Sequence, residues 1–145
     1  MKVATTSLLL AATAAYAAGG PHFDVQATFV PSANPKTEPA VAVLFLAKDP
    51  DVKINEAPAP RLKLDAGQAV LVSKPSESRK EPEATPENPR YLDLSAPVRF
   101  PVGLGAAATK GTHLVKGSVA YFYCSKREGW CRKGTTEVEI PVLVR

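Results

Sequence analysis

The stretch Gly117–Val142, GSVAYFYCSKREGWCRKGTTEVEIPV, restricts the possible folds more than any other part of the chain. Before Cys124 the residues alternate, with Val119, Tyr121 and Tyr123 on one face and Ala120, Phe122 and Cys124 on the other. That is the two-residue period of a β-strand. After Cys131 a second alternation sets Val138, Ile140 and Val142 against Glu137, Glu139 and Pro141. Between the two runs lie Ser125, Lys126, Arg127 and Glu128, with Gly129 to take backbone angles that other residues avoid. The pattern predicts a hairpin with a cysteine on each arm. It contains both cysteines of the chain and its only tryptophan, Trp130.

Upstream, the chain reads as short strands separated by proline-rich turns. Phe23, Val25, Ala27 and Phe29 alternate with Asp24, Gln26 and Thr28 up to Pro31, and Ser32 to Pro35 form a turn. The run AVAVLFLA (Ala40 to Ala47) has strand length and no helix caps, which predicts a strand buried on both faces. Val52 to Asn55 is extended, Pro58 and Pro60 exclude a helix there, and Leu62, Leu64 and Ala69 to Val72 supply two more β segments. Ser73 to Arg90, rich in proline and charge and without an aromatic residue, is expected to be a mobile, solvated loop. Tyr91 to Leu94 and Val98 to Leu104 return to extended structure, and Gly103 to Gly111 forms a small-residue loop before the hairpin. Fourteen prolines and no long amphipathic pattern argue against a helical domain, so the expected class is all-β, an antiparallel β-sandwich.

The first residues read as an address. Lys2, the apolar run around Leu8 to Ala12 and the small-x-small triplet Ala15-Tyr16-Ala17 predict a signal peptide over 1–17, leaving one domain over 18–145. The expected product is exported, periplasmic or extracellular, with no membrane span and with its two cysteines in a compartment where they are free to pair. A formal net charge of +4 is too small an excess to argue for nucleic acid, and no nucleic-acid motif accompanies it.

Three roles are open to the cysteine pair. A structural staple closing so short a loop is worth about 2.5 kcal/mol in the chain-entropy model, less than a long loop would gain. Redox exchange is favoured by Lys126, Arg127, Arg132 and Lys133, each within three residues of a cysteine; against them stands Glu128 alone. Positive charge there favours thiolate over thiol and eases reduction. Trp130 would either shield a sulfur or simply pack in the hairpin. Metal binding is the weakest option, because His22 and His113 do not complete a zinc spacing and nothing supports copper(I). No catalytic triad, phosphate loop or CxxC motif is present, and no cofactor is expected.

The hairpin YFYCSKREGWCRKGTTEVEIPV resembles that of the N-terminal periplasmic domain of DsbD, the thiol:disulfide interchange protein, and its stand-alone relatives. VKINEAPAPRLKL is similar to that family's extended stretch after the second strand, and LSAPVRFPVGL to the strand before the hairpin. The resemblance implies an immunoglobulin-like β-sandwich whose Cys124 and Cys131 cycle between dithiol and disulfide. Electrons would pass between a membrane electron carrier and thioredoxin-like proteins, and the attacking cysteine is not assigned. Tyr123, Lys126, Arg127, Trp130, Arg132 and Lys133 form the expected surroundings of the pair. The family's aromatic cap over the cysteines has no match in Ser73 to Arg90, which leaves Tyr91 or Trp130 to shield them. The resemblance extends to no transmembrane or thioredoxin domain, so the electron donor is expected to be a separate protein. The alternative from another class is a non-catalytic immunoglobulin-like binding module with a structural disulfide.

Overall fold

The computed structural model describes residues 17–65, 70–74 and 90–145. The expected signal peptide, apart from Ala17, and most of the expected loop from Ser73 to Arg90 lie outside the described residues. Within them the chain is all-β, with two antiparallel sheets packed face to face as a β-sandwich. The first sheet has the order β1 (Ala17–Gly19), β2 (Phe23–Val30), β3 (Ala40–Ala47), β7 (Val98–Leu104), β6 (Leu71–Ser73). The second is built on β8 (Gly111–Ser125). Its partner on one side is β9 (Trp130–Val144); on the other, β4 (Val52–Ile54) and β5 (Arg61–Leu64) pair with successive parts of it.

Alternation decides what enters the core. Phe23, Val25 and Ala27 of β2 and Val41, Val43 and Phe45 of β3 are buried from the first sheet. From the second come Val115, Val119, Tyr121 and Tyr123 of β8 and Val138, Ile140 and Val142 of β9. Full burial of side chains of this size contributes about 1.5–3 kcal/mol each. At the end of the core nearest the cysteines the packing is aromatic. The Phe23 ring stands edge-on to Tyr121 and Tyr123, with centroids 5.9 and 5.8 Å away, and Phe45 meets Tyr121 at 5.2 Å.

The structure departs from the sequence-based expectations in four places. The loop before the hairpin covers only 105–110, because Gly103 and Leu104 pair within β7 and Gly111 opens β8. AVAVLFLA is fully buried on the face of Val41, Val43 and Phe45; on the other face Ala40 is buried, Ala42 and Leu44 are half-buried and Leu46 is 41% exposed, so the second face is covered only in part. Ser125 belongs to β8 and is buried, which leaves Lys126 to Gly129 as the turn. The second arm pairs continuously from Trp130 instead of resuming near Val138, because the polar segment Arg132 to Thr135 stays in register with β8.

After the residues outside the description, the chain returns along the far edge of β4. Asn55 bridges to Tyr91, the Glu56 N–H donates to the Arg90 carbonyl, and the Leu92 N–H to that of Ile54. Ser95 fixes the next bend by donating through its N–H and its hydroxyl to Asp93 Oδ1, and these bonds hold the Asp93 carboxyl below the usual aspartate range.

Candidate functional site: the disulfide at the hairpin end

The turn forms because its polar groups close on the strand ends. The Gly129 N–H donates to the Ser125 carbonyl at 3.0 Å, and the Glu128 N–H to Ser125 Oγ at 3.2 Å. Gly129 has φ of 70°, the left-handed region in which a side chain would be strained. The Asp51 carboxylate braces the turn from the β4 side. It accepts from Ser125 Oγ at 3.5 Å and pairs with Arg127 Nε at 3.2 Å.

One step inward, Cys124 lies directly opposite Cys131 in the ladder and the two are joined, with 4.1 Å between their Cα atoms. That is the close approach of directly opposed antiparallel residues. Cys124 belongs to the set that alternates with the core residues Tyr121 and Tyr123, so the bond lies on the outer face of the second sheet, away from the sandwich interior. The two halves of the bond differ in access. Cys124 is 8% exposed, hemmed between β4 and β9, whereas Cys131 on the outermost strand is exposed. Cys124 Sγ lies 3.3 Å from Asn55 Oδ1, where the reduced thiol would donate to the amide oxygen.

Tyr123 and Trp130, expected near the sulfurs, stand on the opposite face from the bond. Tyr123 is buried in the core, and the Trp130 ring packs edge-on against it at 5.7 Å and meets His22 at 5.3 Å. The Trp130 Nε1–H donates to Glu128 Oε2 at 2.6 Å. Trp130 therefore packs the hairpin, and being adjacent to Cys131 on a strand it faces away from the sulfur. Arg132 stacks on Trp130 at 4.3 Å, on that same core side. Arg127 is engaged by Asp51. The other two expected cations lie over different rings. Lys133 follows Cys131 on the outer face and lies over the Phe122 ring at 6.0 Å; Lys126 in the turn lies over the Tyr91 ring at 5.5 Å.

The sheet brings in residues that the local sequence did not point to. Lys53 of β4 is directly opposite Cys124 and exposed, and directly opposed residues have Cβ atoms about 4.5–5.5 Å apart. Arg61 of β5 is opposite Ala120 on the same face. Asn55 and Tyr91 arrive with them, Asn55 at Cys124 Sγ and Tyr91 as its bridge partner, with its ring under Lys126. A simple alternation count would have separated Trp130 from Cys131, but no local signal announces a strand pairing some 70 residues away, such as Lys53 with Cys124.

The histidines are placed elsewhere in the packing. His22 is taken up by Tyr123 and Trp130, and the His113 Nε2–H donates to the Thr109 carbonyl at 2.6 Å. A surface groove of about 730 Å³, lined by Gly20, Tyr121, Tyr123, Gly134 and Thr136 among others, takes in neither cysteine. The chemistry available at the outer face is thus that of one exposed and one covered sulfur. No protein-family model, curated protein or solved structure matches the chain.

Proposed function

We propose that this chain is an exported thiol:disulfide exchange module, an immunoglobulin-like sandwich of the kind its hairpin resembles in the N-terminal domain of DsbD. The observation that carries the proposal is the asymmetry of the bond: Cys131 is exposed on the outer face while Cys124 is covered. A staple needs neither the location nor the asymmetry. An exchanging disulfide needs one sulfur within reach and one that waits.

The reaction follows from that access. A thiolate of a partner dithiol attacks Cys131 Sγ, the bond between the two cysteines breaks, and Cys124 leaves as a thiolate. Cys124 then takes a proton, and Asn55 Oδ1 stands where the new S–H donates. The partner's second thiolate attacks its own mixed-disulfide sulfur and releases Cys131. Two electrons have moved, the partner is oxidised to a disulfide, and this chain holds a dithiol. The reverse sequence passes those electrons on. No cofactor takes part.

The test combines a potential with a trap. The reduction potential of the full chain is measured against glutathione, and single-cysteine variants are exposed to oxidised glutathione. The expected result is a potential above about −300 mV, with Cys124→Ser forming the mixed disulfide faster than Cys131→Ser. A potential below about −300 mV, with the native bond untouched by thiols, would instead identify a staple in a non-catalytic binding module.

A further inference from the structure

Around the bond, the outer face of the second sheet carries a charge pattern that exchange chemistry alone does not require. In register, Lys53 flanks Cys124 and Cys131, Lys133 is opposite Phe122, and Arg61 is opposite Ala120, which in turn is opposite Thr135. Acidic residues appear on this face of the strands only beyond those rows, at Glu137 and Glu139, where Lys63 and Lys116 also lie. Lys53, Arg61 and Lys133 are all exposed. Among the described residues the ion pairs lie elsewhere, Lys48 with Asp24, Lys74 with Glu38, Arg90 with Glu56 and Arg127 with Asp51.

Between the three cations the floor is only partly covered, formed by half-buried Phe122 and Ala120. A strand advances about 3.3 Å per residue, so these rows extend about 13 Å from Cys124 to Ala120. At physiological ionic strength the screening length is about 8 Å. The cations therefore act mainly on a surface already in contact with the face, selecting it by charge as it approaches the sulfur.

We propose that this face docks a protein whose reactive cysteine is surrounded by aspartate and glutamate side chains. The proposal rests on the exchange reading and specifies the partner it favours. The disulfide at the head of the face commits the occupant to a thiol-bearing protein, and the acid-free cationic rows commit it to an acidic one. Lys53, Arg61 and Lys133 supply the selection, in addition to any effect of the two lysines nearest the bond on its thiolates.

The test uses the oxidised full chain and pentapeptides with one cysteine flanked by glutamates, glutamines or lysines. Each peptide's rate is normalised to its own rate with hydroxyethyl disulfide, a neutral reference that removes differences in thiol reactivity. Dithiothreitol serves as an uncharged reductant. At about 10 mM salt the glutamate peptide is expected to react about tenfold faster than the lysine peptide. At about 0.5 M salt the ratio falls toward one. In the triple variant Lys53→Glu, Arg61→Glu, Lys133→Glu the preference reverses. The salt series on the unaltered protein decides the matter even if that variant misfolds.

Equal normalised rates at low salt, with dithiothreitol still reducing the bond, would overturn the docking surface and leave exchange standing. A native bond that dithiothreitol also fails to reduce would remove the exchange reading and the docking surface together. Binding to phosphatidylglycerol vesicles that is lost in the triple variant, without any peptide preference, would overturn the proposal in favour of a lipid.

Discussion

At the scale of single residues, position on the sheet separates cations that look equivalent in sequence. Lys133 shares the face of the bond and Lys53 is opposite Cys124, but Arg132 stacks on Trp130 on the other side. A unit charge at about 4 Å in water is worth about 1 kcal/mol. Part of that gain in thiolate is offset, because a more stable thiolate is a weaker nucleophile. Removing a cation from the outer face should therefore slow alkylation of Cys131 in the reduced protein by about twofold per charge. The expected outcome is that Lys53→Gln with Lys133→Gln slows iodoacetamide at neutral pH and Arg132→Gln leaves the rate unchanged, followed by mass mapping of Cys131. Equal slowing by Arg132→Gln would contradict the two-faced arrangement.

At the scale of elements, the hairpin of β8 and β9 is held in register by a fit that a single methyl group would disturb. Gly134 is opposite Tyr121, and a Cβ built there would fall 2.8 Å from Cε2 and Cζ of the tyrosine ring. That ring cannot easily yield, since it packs against Phe23 and Phe45 and its hydroxyl lies 3.3 Å from Thr136 Oγ1. Overpacking of this kind costs about 1–3 kcal/mol, so Gly134→Ala should lower the thermal midpoint by several degrees, as read by calorimetry. An unchanged midpoint would show that the ring moves freely. The hairpin was legible in the sequence because its alternation is local: Tyr121, Tyr123, Val138 and Ile140 announce their face without reference to the rest of the fold. The same arithmetic places Cys131 and Trp130 on opposite faces. The pairing of β4 and β5 with β8 was not legible, since register between distant strands is set by whole-sheet packing, and with it Lys53, Arg61 and Asn55 stayed out of view. The exposed Leu46 in β3 shows the reverse error, in which an apolar run suggests complete cover on a face that the fold covers only in part, at Ala40, Ala42 and Leu44.

At the scale of the whole molecule, a module that exchanges electrons through its disulfide must stay folded with the bond open. The architecture suits that requirement. The cysteines are already opposed within a ladder that runs from Gly111–Val144 to Ser125–Trp130, and the hydrophobic core lies behind them with contributions from both sheets. With a sequence separation of seven, the crosslink closes a short loop, and the chain-entropy model limits its contribution to about 2.5 kcal/mol. The double variant Cys124→Ser, Cys131→Ser should therefore keep its β circular dichroism and its dispersed amide spectrum, with a thermal midpoint lowered by on the order of 10 °C at most. Reduction of the unaltered protein should give the same spectra. If either form lost its tertiary structure at ambient temperature, the ladder and core would be insufficient without the bond. The disulfide would then be a fold-defining staple, and cycling it would unfold the surface on which a partner must dock.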